Sequence, residues 1–374
     1  MLFATIPALP EVKDLLLRSA RSGQVAHAQL FAGVEGGAAL ALALAYATYL
    51  SCDAPLDTDA CGQCPACSKM ARLVHPDLHW LLPLAESKLD EDERNARLGQ
   101  WRAFLLDQPF PTYHEWMQEL KADNKQGTIS REAAAQLPMR AAMAAFEAPY
   151  KFFIIWLPEL LHPAAANALL KLLEEPPRRT VFLLVSNNPG ALLPTIISRT
   201  QRVSVRAHTD DELTEFLHHQ HHLPPDAARA TAQLAEGSLY AALALRGEVG
   251  TELFDFLVEW LRDCYGMKWQ KLLDDTGERF QKMGREGQKH LLRYGLGLVR
   301  KVLLTGVDPA LVPALPPNEA ATVPKMARLI TPHNADAIVK AFTDAHYHVE
   351  RNANPKLVFF DTSLTLWPLL RVGG

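Results

Sequence analysis

No apolar run in this 374-residue sequence approaches the ~20 residues that a membrane-spanning helix needs, because proline, glycine, histidine or charge interrupts each one. The opening residues, MLFATIPALPEVKDLLLRSA, lack the basic lead and unbroken apolar core of a signal peptide, so a cytoplasmic protein is expected. A basic excess is missing as well. The formal net charge is -4, which gives the chain no overall attraction to nucleic acid and leaves only a local patch for that purpose. Cysteine is scarce, with five in all, and in a reducing compartment these are metal ligands or buried thiols rather than disulfides. What remains is the composition of a globular protein, 48% hydrophobic and 21% charged, in a chain long enough for two or three domains.

The stretch from Lys151 to Pro177, KFFIIWLPELLHPAAANALLKLLEEPP, organises the rest. Phe152 to Trp156 is a short continuous apolar run, the pattern of a strand covered on both faces. Pro158 ends it. Pro163 then opens a helix at the one position where a missing N–H costs nothing, and Ala165, Ala168, Leu169, Leu172 and Leu173 follow at helical spacing. Ala28–Ala32, Leu78–Leu82, Val181–Val185 and Arg202–Arg206 read as further strands alternating with helices. The pattern predicts a doubly wound α/β domain with its site at the carboxyl ends of the strands.

The first strand runs into Gly33-Val-Glu-Gly36-Gly-Ala-Ala39-Leu40 and then a helical run to Leu50. Strand, glycine-rich turn and helix is the setting of a phosphate-binding loop. Set against G-x-x-x-x-G-K-[ST] from Gly33, the second glycine is Ala38, the lysine is Ala39 and the hydroxyl residue is Leu40. The lysine would serve the phosphates and the hydroxyl Mg²⁺. The competing reading is a turn that merely links strand to helix. Where a nucleotide-binding sheet carries an acid for the metal, this chain has Trp156 and Leu157.

Cys52, Cys61, Cys64 and Cys67 are separated by eight, two and two residues, with Gly62 and Pro65 suited to the tight turns between them. Four thiolates at this spacing close a tetrahedral shell, so a structural zinc is expected and a zinc enzyme is not. Cys264 reads as a buried apolar residue. Residues 84–127, a dense charge mix followed by Trp101, Phe104, Phe110, Tyr113 and Trp116, read as a solvated insertion; a helical hairpin or a partner-binding arm is the alternative. Ser130 fits a helix N-cap. His218, His219, His221 and His222 read as a solvated helix end, since adjacent histidines on a helix point apart. Beyond residue 208 the pattern is helical, and Pro309 to Pro324 reads as a connecting loop.

Together these residues resemble the delta prime family of bacterial DNA polymerase III clamp-loader subunits, within the AAA+ proteins. The resemblance rests on AAANALLKLLEEPP at 164–177, HAQLFAGVEG at 27–36, the four cysteines, His75-Pro76-Asp77 and LLPTIISRTQRV at 192–203. It covers residues 1 to about 245; the C-terminal helices match chiefly through Asn354 and the apolar run after it. Tyr240 takes the place of a lid arginine, and the retained motif is Ser198-Arg199-Thr200, with threonine where cysteine is usual.

The resemblance implies α/β plus all-α architecture: an AAA+ (P-loop NTPase-like) parallel-sheet domain at 1–207, with a zinc module at 52–67 and an insertion at about 84–127, a helical lid at 208–248 and a helical collar for oligomerisation at 249–374. It implies a subunit of the DNA-directed DNA polymerase III holoenzyme that is no enzyme by itself. Such a stator assembles with gamma/tau and delta subunits in a hetero-pentamer and helps place the β sliding clamp on primed DNA. Arg199, with Ser198 beside it, would act in trans as an arginine finger on a neighbouring ATP site. Zinc would be a structural cofactor, with no ATP hydrolysis. Two rivals stand beside this reading: an active gamma/tau-type ATPase, and a zinc-dependent nucleic-acid-binding module. For the second, the surroundings of the cysteines, Asp53, Asp57, Asp59 and Lys69, are not basic.

Overall fold

Helix α1 (Pro10–Arg21) precedes the sheet. Strand β1 (Ala28–Ala32) leads into α2 (Ala39–Ser51), and α3 (Pro65–Ala71) precedes β2 (Leu78–Leu81). Helices α4 (Glu91–Asp107) and α5 (Tyr113–Glu119) come next, then α6 (Arg131–Ala135), α7 (Leu137–Ala142) and β3 (Lys151–Trp156). Helix α8 (Pro163–Glu174), β4 (Thr180–Ser186), α9 (Pro194–Ile197) and β5 (Gln201–Ser204) complete the α/β unit. This is a computed structural model, and it describes residues 1–86, 88–122, 126–245, 249–308, 317–351 and 353–372.

The strands pair in the order β2-β3-β4-β1-β5, all parallel. Every residue of β1, β3 and β4 is buried, as their continuous apolar runs require. Phe153 and Ile155 of β3 share a core cluster with Leu169, Leu172 and Leu173 of α8, which covers one face. Helix α2 packs against β1, β3 and β4 and is buried nearly all round, so its apolar sequence shows no polar stripe. Pro163 is at the first turn of α8 and Ser130 caps α6 through the Ala133 N–H, both as the residue types dictate.

The structure corrects the reading of residues 84–127. They are not a solvated insertion: α4 and α5 form an inserted helical pair in which Trp101, Phe110 and Trp116 are buried while Phe104 and Tyr113 are partly so. Trp101 and Trp116 are fully buried. The Trp101 ring lies 4.7 Å from Trp156, 5.0 Å from Trp116 and 5.6 Å from Trp80. Helix α4 starts at a full capping box, Asp90 with Glu93, and its charge mix is the outer face of a packed helix. Residues 87 and 123–125 lie outside the described residues. Trp101→Ala is expected to cost about 3–5 kcal/mol of stability. Urea unfolding checks it against Leu106→Ala, an exposed site on the same helix; equal midpoints would contradict the packing role.

The chain divides into two compact units, residues 1–212 with 236–240, and residues 213–235 with 241–374. The regular elements described in the second are all helices, including Val249–Tyr265, Gly284–Val307, Ala335–Glu350 and Pro355–Val372. Its core centres on Trp260, stacked 4.5 Å from Phe359 and donating from its indole nitrogen to Ser363 Oγ at 2.8 Å. Cys264 is fully buried there, as an apolar residue would be. The expected loop from Pro309 to Pro324 is part helix: Pro317–Ala320 is helical and Val323–Met326 starts a second turn, while 309–316 lie outside the described residues. No helix among the described residues is long and apolar enough to cross a membrane.

Candidate functional site

The glycine turn lies at the carboxyl end of β1, between β4 and β5, where a doubly wound sheet opens its crevice. Gly33 donates its N–H to Ser186 O at 3.1 Å. Gly36 has φ +66°, and a Cβ there would meet Ser238 Oγ at 2.6 Å and Tyr240 Cβ at 2.7 Å, so glycine is required twice over. The Tyr240 N–H donates to Gly36 O at 2.9 Å, Ser238 Oγ donates to Glu35 O at 3.3 Å, and the Tyr113 N–H donates to the Glu35 carboxylate at 2.9 Å. The turn is thus engaged by its own chain from two sides. Ala39 and Leu40, at the start of α2, are buried and carry no charge or hydroxyl to the turn.

At the end of β3, Trp156 is buried under Trp101 from α4. Leu157 takes a left-handed conformation, φ +57°, and donates its N–H to Val185 O. The sequence reading passed over Glu159. One of its carboxylate oxygens accepts the backbone N–H groups of Asn187 (2.9 Å) and Asn188 (3.1 Å), tying the ends of β3 and β4 together. Its place three residues beyond an apolar strand was the only signal in the sequence. Asp77 does similar work behind β2: buried, it accepts N–H groups from Phe146, Glu147 and Ala148. Burial alone would raise its pKa, but those three donors hold it below the ordinary value.

Arg199 follows α9 with Ser198 as the helix C-cap. Its guanidinium pairs with Glu174 at 2.8 Å and donates to Thr195 O at 3.0 Å. Ser198 Oγ donates to the same carbonyl at 3.2 Å. The arginine side chain is 35% exposed and the glutamate 50%, so the pair faces solvent and is worth no more than about 1 kcal/mol. An anion presented from outside can displace the glutamate at small cost.

The four cysteines meet. Their sulfurs all lie within 4.8 Å of one another, and this is the group of metal-capable side chains found among the described residues. Cys61 Sγ is 3.9 Å from Cys67 Sγ, and Cys64 Sγ is 4.0 Å from Cys52 Sγ. A tetrahedral zinc with Zn–S of about 2.3 Å sets its sulfurs about 3.8 Å apart, so the donors fit that ion. Backbone N–H groups of Cys61, Cys64 and Cys67 donate to Cys52, Cys61 and Cys64 Sγ. Such donors stabilise thiolate; those from Gln63 and Cys64 bring Cys61 down to about 6, while burial raises Cys52 and Cys67. Gly62, at φ +72°, makes the turn between the first pair. Next to the sulfurs, Asp59 accepts the N–H groups of Phe3 (3.1 Å) and Ala4 (2.8 Å), which fastens the first residues to this module. Against the expectation that adjacent histidines point apart, the His218 and His219 rings lie 4.9 Å from one another. His218 Nδ1 contacts Leu223 O, His221 stands edge-on to Phe216, and no metal-capable group of three forms there among the described residues.

A parallel sheet with an engaged glycine turn and a four-cysteine module defines a P-loop-like α/β protein of the zinc-module type. The family described as "DNA polymerase III, delta subunit" matches residues 8–209, just over half the chain. The chain belongs to this family of clamp-loader proteins. The delta' subunit of DNA polymerase III from Escherichia coli is 29% identical over 62% of this chain and 58% of that protein. The Pseudomonas aeruginosa delta' subunit is 35% identical over 47% of this chain and 42% of its own length. The E. coli tau subunit is 26% identical over 82% of this chain and 44% of its own length. The chain spans about half the length of the curated relatives it matches. A gamma subunit-related crystal structure from Thermotoga maritima aligns over 96% of this chain and 99% of its own at 15% identity, with a TM-score of 0.44.

Proposed function

We propose that this chain is the non-hydrolysing stator of a DNA polymerase III clamp loader. It would assemble with gamma/tau and delta subunits in a hetero-pentamer that loads the β sliding clamp on primed DNA. The observation that supports this reading is that the glycine turn and the end of β3 offer no lysine, hydroxyl or acid, and that the chain's own side chains pack on both. Ala39, Leu40, Trp156 and Leu157 stand where lysine, hydroxyl and acids would be. Trp101 covers Trp156, and Ser238 and Tyr240 bear on Gly36. Phosphoryl transfer is almost wholly positioning and charge stabilisation, so a site without these groups has nothing to supply.

Arg199 is then the group that acts, reaching an ATP site on a neighbouring gamma/tau subunit. A guanidinium spans two phosphate oxygens, and in the free chain Glu174 and Thr195 O hold it at the surface. Ser198, by capping α9, fixes where that arginine starts. Cys52, Cys61, Cys64 and Cys67 would hold a zinc ion that supplies no catalysis; it would fix the 52–67 loop and, through Asp59, the first residues. Residues 208–248 would serve as the lid and 249–374 as the collar for assembly. The test is to mix the chain with candidate gamma/tau and delta subunits. A stoichiometric complex that loads the clamp on primed DNA is the expected result, and a chain that stays unassembled sinks the reading.

A further inference from the structure

A narrow cleft, partly open to solvent, lies along β2, the edge strand of the sheet, between α4 and the α6–α7 pair. Three arginines line it, Arg94, Arg97 and Arg140, and no carboxylate does. Arg97 is already engaged, by Glu86 at 2.5 Å and Gln100 at 2.7 Å. The other two have capacity left. Arg94 gives one nitrogen to Leu89 O at 3.2 Å, while its Nη1 is buried with no acceptor. An unmatched buried donor of this kind is costly unless a ligand or water completes it. The Arg140 guanidinium has no acceptor among the described residues, and its helix end is fixed because buried Lys151 binds the carbonyls of Arg140 (2.9 Å) and Ala141 (2.7 Å). His79, stacked 4.7 Å from Phe153, adds no charge: burial and the nearby Arg140 push it down to about 4. Apart from Gln136, the rest of the wall is apolar, chiefly Leu98, Leu137 and Phe153.

We propose that this cleft binds a small organic monocarboxylate, its anion held by Arg94 and Arg140 and its apolar body against Leu98, Leu137 and Phe153. Two charged forks with free N–H groups match a carboxylate, and the leucine walls favour a hydrocarbon body over a bare inorganic anion. The carboxylate has two possible sources, a free short-chain acid or the C-terminus of a peptide ending in an aliphatic residue. This site is independent of the glycine turn and of Arg199, so it stands or falls apart from the stator reading.

Calorimetric titration of the full chain at low salt, with hexanoate, N-acetyl-leucyl-leucine, hexanamide and inorganic phosphate, tests it. Saturable binding of a carboxylate is expected, with hexanamide and phosphate at least roughly tenfold weaker. Arg94→Gln and Arg140→Gln should each weaken the carboxylate about tenfold, the loss of a charge-assisted hydrogen bond. Arg131→Gln, exposed on α6 and outside the cleft, should change nothing. Tighter binding of the dipeptide assigns a peptide terminus, and tighter binding of hexanoate a free acid. No saturable binding of either carboxylate overturns the proposal, as does hexanamide or phosphate binding as well as hexanoate. So do unchanged affinities in both arginine variants. If a variant fails to fold, the comparison of hexanoate with hexanamide on the unaltered chain still decides.

Discussion

Arg199→Ala is expected to lower ATP turnover at the adjoining motor site by roughly a thousandfold or more, the range for removal of an arginine finger. DNA-stimulated ATPase of the assembled complex should fall by that site's whole share. The argument is one of geometry and cost. The guanidinium is partly exposed at the end of a short helix, held by Glu174, the Thr195 carbonyl and Ser198 Oγ. Removing it disturbs no core, so assembly should survive and the loss should fall on turnover. Glu174→Ala is the informative companion. If that carboxylate only parks the arginine, its removal should change the rate by less than about fivefold, in keeping with a solvent-facing pair. Unchanged activity in the arginine variant would remove the trans role altogether.

The second large effect concerns metal. Removal of zinc by a strong chelator, or Cys64→Ser, should unfold the segment from Cys52 to Cys67 and release residues 3–4 from Asp59. Structural zinc is worth about 10–16 kcal/mol of apparent binding energy in small zinc peptides, more than the few buried residues and hydrogen bonds of this loop supply. Cys64 serves twice, as ligand candidate and as the N-cap of α3. The sheet should persist, because the cluster joining β1, β3 and β4 to α8 includes no module residue. Metal analysis should find one zinc per purified chain. Amide exchange should show protection at Phe3, Ala4 and Cys67 that vanishes with the metal. Well under one zinc per chain, or protection that outlasts chelation, would contradict the four-cysteine assignment.

Local features were legible in the sequence because they rest on local rules. The run from Phe152 to Trp156 could only be a buried strand, Pro163 could only begin a helix, and Ser130 sat where a cap was needed. The cysteines were readable because metal geometry dictates their spacing. The failures are contacts between distant segments. Helix α4 opens with acids and bases from Glu91 to Arg97, which masked the single tryptophan that matters, four residues on. That Trp101 would reach Trp156, 55 residues away, has no periodic signature. Glu159 and Glu174 carry no local signal of their own, because their partners, the Asn187–Asn188 backbone and Arg199, are fixed only by the tertiary fold. The engagement of Gly36 by Ser238 and Tyr240 spans some two hundred residues and was equally out of reach.

That engagement bears on the central claim, that this chain does no nucleotide chemistry of its own. The direct measurement is a titration of the full chain with Mg²⁺-ATP, alone and with Ala39→Lys and Leu40→Thr introduced together. Neither protein should bind saturably or turn ATP over, since lysine and hydroxyl return without the acids and with Trp101 still seated on Trp156. Tight binding and steady turnover by the unaltered chain would contradict the account and favour an active gamma/tau-type motor.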